Sequence, residues 1–107
     1  MFKKHLRLNT SEFNEVFKNG KNTKTPLFLI KSKKNNLKHP RFSVVVSKKI
    51  AKKAHERNYL KRKAYNAIKD NQQKFSDKKL DHIFILSSDI KDIQYKQLLQ
   101  EIKNINI

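Results

Sequence analysis

The chain has 107 residues, enough for one domain around one modest core. Its 26 Lys and Arg against 9 Asp and Glu leave a net charge of +17, more than solubility requires and a field that draws polyanions. It has no cysteine, which excludes disulfides and thiolate metal sites, and its opening residues MFKKHLRLN contain no apolar h-region.

In chain order, Thr10 or Ser11 is expected to cap a short first helix. In it Phe13, Val16 and Phe17 recur at i, i+3, i+4, and Gly20 is placed to close it. Asn22 to Lys24 reads as a short edge strand. After Pro26, LFLIK forms a strand in which Leu27 and Leu29 alternate with Phe28 and Ile30. The turn-rich KKNNLKHP leads into RFSVVVS, where Phe42, Val44 and Val46 share one face while Ser43, Val45 and Ser47 share the other. These two runs are expected to pair as a hairpin. No Gly or Pro interrupts the stretch from about Ala54 to about Gln73, which predicts a long helix. LDHIFILSS supplies a buried strand, and Asp92 is expected to cap a final helix whose stripe is Tyr95, Leu98, Leu99 and Ile102. The expected fold is α+β: one domain over residues 1–107, three helices on a small sheet, in the order α-β-β-β-α-β-α. No apolar run is long enough to span a bilayer, so the expected partner is a cytoplasmic polyanion rather than a membrane.

The charge is concentrated. From Lys31 to Lys63 there are thirteen basic residues against one acid, Glu56, whereas the rest of the chain holds thirteen against eight. The outer lysines read as a solvated surface, and the central third reads as a binding surface. It contains RNYLKR, which holds two of the four arginines, Arg57 and Arg62, with Asn58 between them. On the predicted helix Lys61, Tyr65, Asn58 and Arg62 fall within roughly 140° of Arg57. Leu60, Ala64, Ala67 and Ile68 occupy the neighbouring face, toward the sheet. Arginine presents a planar fork matched to phosphate, and Asn58 can donate to or accept from a sugar or base edge. The plain alternative is an ordinary wet face in which Arg57 pairs with Glu56 or another acid.

SVVVSKKIAKKAHERNYLKR, from Ser43 to Arg62, resembles the signature of the bacterial ribonuclease P protein subunit. That signature is a strand ending in Val-Ser-Lys-Lys followed by a helix with Ala, Arg-Asn and Lys-Arg. LRLNTSEFNEVFKNG and IFILSS are similar to the family's first helix and last strand, so the resemblance spans nearly the whole chain. It implies a mixed sheet with a left-handed βαβ crossover, against the usual rule. It also implies docking on the catalytic RNA subunit through Lys48, Lys49, Lys53, Ala54, Arg57, Asn58, Lys61 and Arg62, with Tyr65 on the same flank. The family further binds the 5′ leader of precursor tRNA between its first helix and the sheet, which maps here to Phe13, Phe17, Phe28 and Lys31; stacking in a basic groove suits a single strand. The partners implied are the RNA subunit and precursor tRNA, without an obligate protein partner. The reaction implied is endonucleolytic removal of the leader, with magnesium ions held mainly by the RNA. The chain departs from the family at Ala51, usually glycine, at His55, usually small and aliphatic, and at Tyr65, where a further arginine is common. Asn66, Lys31, Ser87 and Ser88 also differ from the common residues.

The chain's own acids and imidazoles show no catalytic pattern. Glu12, Glu15, Glu56, Asp70, Asp77, Asp81, Asp89, Asp92 and Glu101 share no strand end or helix face as a two-metal nuclease needs. His5, His39, His55 and His82 lack metal spacing, and His82 reads as a strand residue. Two other functions compete. A general RNA-binding protein, such as a small ribosomal protein, accounts for the charge equally well and differs only in lacking the spaced motif. A basic peripheral membrane protein needs bulky apolar residues opposite its lysines, where the Arg57 helix offers mainly alanines.

Overall fold

The computed structural model describes residues 6–76 and 79–105. Helix α1 runs Thr10–Asn19. Its cap is Asn9, one residue before the expected Thr10 or Ser11. Asn9 Oδ1 accepts the Glu12 N–H at 2.8 Å, and Glu12 Oε1 accepts the Asn9 N–H at 2.8 Å. Only Asn9 has a glutamate three residues on, so only it can close this reciprocal box. At the other end the Gly20 N–H donates to Val16 O at 2.7 Å. A Cβ there would lie 2.5 Å from that oxygen and 3.2 Å from Ser32 O, so glycine lets the chain turn directly from α1 into the sheet.

Four strands follow: β1 Lys21–Lys24, β2 Phe28–Lys34, β3 Arg41–Val45 and β4 Leu80–Leu86. Their order is β1-β2-β4-β3, antiparallel except for the parallel β3–β4 pair. The expected hairpin between the LFLIK and RFSVVVS runs therefore does not form; β2 turns back on β1, and β4 inserts between β2 and β3. The physical reason lies in the β4 sequence: Asp81, His82, Ile83, Phe84 and Leu86 are all buried, on both faces. A strand buried on both faces belongs in the middle of a sheet, whereas β2 and β3 each bury only one face well.

Helix α2 spans Ala54–Asp70, and a short α3 spans Gln72–Ser76. The long helix predicted to about Gln73 breaks at Asn71. The Asn71 Nδ2 donates to Ala67 O at 3.0 Å and to Leu99 O at 3.1 Å, tying the break to the last helix. After a 3₁₀ turn at Ser88–Asp92, α4 runs Tyr95–Lys103 with Gln94 as its cap. Asp92 was the expected cap. Gln94 takes the role because Gln97, three residues on, returns a hydrogen bond to its N–H, whereas Asp92 has Tyr95 at that position.

One sheet face is fully covered. Phe28, Ile30, Phe42, Val44, Phe84 and Leu86 pack there against Leu60, Ala64, Ala67 and Ile68 of α2, Phe75 of α3 and Leu98 and Ile102 of α4. Phe42 meets Phe75 edge to face at 5.3 Å, and Phe28 meets Phe84 likewise at 5.3 Å. The opposite face, carrying Leu29, Lys31 and Lys33 of β2 and Ile83 and Ile85 of β4, is covered only in part, by α1. Val16 of α1 and Ile83 of β4 are buried outside the main core.

Candidate nucleic-acid interface

The basic flank of α2 is built by the helix's need to bury its other side. Leu60, Ala64, Ala67 and Ile68 face the sheet, which turns Asn58 and Arg62 outward, exposed, and leaves Arg57 and Lys61 half-buried. Lys48, Lys49 and Lys53 stand exposed on the loop leading into the helix. Among the described residues the ion pairs are Lys33–Glu15, Arg41–Glu12 and Arg41–Asp81, so none of the α2 flank's cations is neutralised by a carboxylate. Arg57 therefore does not pair with Glu56 or another acid, as the plain alternative supposed.

Arg57 does something the sequence did not indicate. Its Nη1 donates to Ala51 O at 3.0 Å and to Lys52 O at 2.7 Å, folding the lysine-rich loop back on the first turn of α2. Part of its fork thus positions the loop. The α2 N-terminus has no side-chain cap, which leaves the positive end of the helix beside Lys48, Lys49 and Lys53.

Tyr65 is the aromatic expected in the middle of this flank, and it is only 9% exposed. It lies where α2 meets the outer edge of β3, and its hydroxyl accepts the Val44 N–H at 3.1 Å. An edge strand leaves N–H groups that need partners, and Tyr65 supplies one. The ring still lines a groove with Arg7, Ser43, Asn58, Lys61 and Arg62. Ser43, which lines the groove, lies on the partly open sheet face opposite Ile83.

On that face α1 lies over the end bearing Lys33 and Arg41, and is anchored there by carboxylate contacts from Glu15 and Glu12. Arg41 also forks onto Asp81 (Nε–Oδ1 2.9 Å, Nη2–Oδ2 2.7 Å), and the Asn35 amide donates to the same carboxylate at 2.8 Å. The hydrogen bond from Arg41 to Asp81, opposed by burial and reinforced by the charges of Asp81 and Glu12, raises the Arg41 pKa above its ordinary value. The hydrogen bond from Lys33, then that from Asn19, lowers the Glu15 pKa. These charges hold the fold together and are spent within it.

Toward the other end the face opens. Leu29, Ile85 and Val45 sit side by side across β2, β4 and β3, half-exposed. Beside them Phe17 is 49% exposed and stacks on Phe13 at 5.8 Å, with Lys31 Nζ 4.9 Å from the Phe17 ring centre. Lys31 also donates to Asn22 Oδ1 at 3.0 Å. Phe13, Phe17 and Lys31 are thus brought together, but Phe28 is not. It is 1% exposed, on the opposite face against Phe84, and belongs to the core. Strand alternation is the reason: Phe28 shares its face with Ile30, whereas Leu29 shares one with Lys31. The residues that sequence reasoning missed are Leu29, Ile85 and Val45, and Arg7; strand parity could have indicated the first three only with the strand order known.

Among the described residues no three His, Cys, Asp or Glu side chains come together as a metal site. Asp77 and His5 lie outside the described residues. His82 is buried in β4 with its Nδ1 2.8 Å from Ser32 Oγ, as a strand residue. No described helix is long and apolar enough to cross a membrane.

Residues 2–106 match the family described as Ribonuclease P. The chain belongs to that family. It is 33% identical over 105 residues to the ribonuclease P protein component of Haemophilus influenzae (strain PittGG), covering 94% of this chain and 87% of that one. It is 31% identical to the same component of Yersinia enterocolitica serotype O:8 / biotype 1B (strain NCTC 13174 / 8081), covering 97% and 87%. Its structure is similar to that of the RNase P protein from Thermotoga maritima, with TM-score 0.81, 25% identity, and coverage of 94% and 97%. The element order and the left-handed β3–α2–β4 crossover are consistent with the solved family structures. Within the family frame, the Ser43–Arg62 motif falls on β3, the lysine loop and the outward flank of α2.

Proposed function

We propose that this chain is the protein component of a ribonuclease P, docking on the catalytic RNA through the lysine loop and the α2 flank and holding the 5′ leader of precursor tRNA on the open sheet face. The observation that carries the reading is the carboxylate-free flank itself: Lys48, Lys49, Lys53, Asn58, Lys61 and Arg62 stand together without an acid partner, on a chain of this family. A polyanion supplies the missing counter-charge. The leader, a single strand, suits the exposed Phe17 ring, the Leu29–Ile85–Val45 row and Lys31. In this reading the ions that cleave the leader belong to the RNA, and the protein binds and positions; among the described residues no acids gather as a metal site.

The test is binding of ribonuclease P RNA from the same host, titrated against salt. The logarithm of affinity should fall with log salt by roughly 0.7 to 0.9 per phosphate contacted. Adding the protein should also raise cleavage of precursor tRNA by the RNA at limiting magnesium. Equal affinity for ribosomal RNA fragments, with no gain in cleavage, would favour a general RNA-binding protein instead.

A further inference from the structure

We propose that Arg7 is a further RNA-contacting residue of the docking groove, carried on the Tyr65 ring; the assignment rests on the docking reading above. The segment before α1 lies along the outer edge of β3. The Leu8 N–H donates to Phe42 O at 3.1 Å, and Arg7 pairs with Phe42 in a parallel bridge. This brings the Arg7 guanidinium to 5.4 Å from the centre of the Tyr65 ring. Tyr65 is itself held, by burial and by its hydroxyl on Val44 N–H, so the platform under Arg7 is rigid. A guanidinium held over an aromatic ring is attracted by it and can still engage a phosphate through its fork.

The groove's walls give this placement its meaning. Arg7 stands on the N-terminal wall, Lys61 and Arg62 on the α2 wall, and Ser43 and Asn58 offer hydrogen bonds with them. Cations on both sides of a groove suit one ribose-phosphate strand passing between them. Of the remaining arginines, Arg41 is neutralised by Asp81 and Glu12, and Arg57 is turned partly onto loop carbonyls. Arg7 and Arg62 are the two arginines that line the groove. Fifty sequence positions separate Arg7 from the motif at Arg57, which is why the linear charge count assigned it to the solvated remainder.

The experiment measures binding of the full chain to ribonuclease P RNA for the parent, R7A, R7K and Y65L, with salt titrations and melting temperatures. R7A should bind about tenfold more weakly and its salt slope should shrink by about 0.7 to 0.9, one phosphate's worth. R7K should restore the slope but only part of the affinity. Y65L should lose affinity while R7A/Y65L loses no more than the larger single loss. R7A binding with the parent's affinity and slope overturns the assignment and leaves the docking reading intact. A loss that tracks a lowered melting temperature with an unchanged slope also overturns it, making the Arg7–Tyr65 contact structural. A parent that binds the RNA without salt dependence overturns the docking reading itself, and the assignment with it.

Discussion

Two phenylalanines that the sequence pattern treats alike should behave oppositely when cut to alanine. Phe17 is 49% exposed and Phe28 1% exposed. Burying a whole Phe side chain is worth about 1.5–3 kcal/mol, so half-burial at Phe17 puts about 1 kcal/mol of stability at risk. For a domain of this size that lowers the melting temperature by about 4 °C. If the Phe17 ring stacks on a leader nucleotide, Phe17→Ala loses roughly 1–3 kcal/mol of leader binding, a drop of about 5- to 150-fold in affinity for leader-bearing tRNA. Mature tRNA has no leader and should bind as before. Phe28→Ala leaves a cavity beneath Phe84 and should cost about 3–5 kcal/mol of stability, without changing the ratio of the two tRNA affinities. Both variants are assayed on the reconstituted holoenzyme, as melting temperature of the protein and as precursor-to-mature affinity ratio. A Phe17→Ala variant that melts like a core mutant and keeps the parent ratio would refute the leader surface on α1.

Tyr65→Phe removes the hydroxyl that accepts the Val44 N–H and should cost about 1–2 kcal/mol in denaturant unfolding, since a buried edge-strand donor loses its partner. Arg57→Lys keeps the charge but loses the Nη1 donor shared by Ala51 O and Lys52 O; amide exchange around residues 51–54 should quicken, and affinity for the RNA subunit should fall by about 1 kcal/mol. Arg41→Met leaves the Asp81 carboxylate without its bidentate partner and should destabilise the fold by about 3 kcal/mol, while the salt slope of RNA binding stays that of the parent. The lowered pKa of Glu15 sets a direction with pH: its stabilising contact with Lys33 is complete above the ordinary carboxylate range and is lost as pH falls through the folded value. Glu15→Gln should therefore flatten the acid side of the stability profile slightly, and an unchanged profile would show that the contact contributes nothing.

Local chemistry determined much of this protein. The apolar spacing of Leu60, Ala64, Ala67 and Ile68 set which side of α2 is buried, and so turned Asn58 and Arg62 outward wherever the helix was placed. The alternation of Phe42 and Val44 with Ser43 marked β3's core face, and the spaced motif pointed to the family. Other features depended on neighbours distant in sequence. Strand order was decided by competition for the centre of the sheet, and β4, buried on both faces, displaced the pairing of β2 with β3 that proximity in sequence suggested. The same order settled which face α1 partly covers, and hence that Phe17 is exposed while Phe28 is core. Caps were chosen by which residue three positions on could reciprocate. Tyr65 was drawn inward by an unpaired edge-strand N–H, and Arg7 was brought to the groove by pairing with β3. Helix periodicity encodes which residues share a side, but the partner of a strand edge or of a guanidinium emerges only when distant segments are packed together.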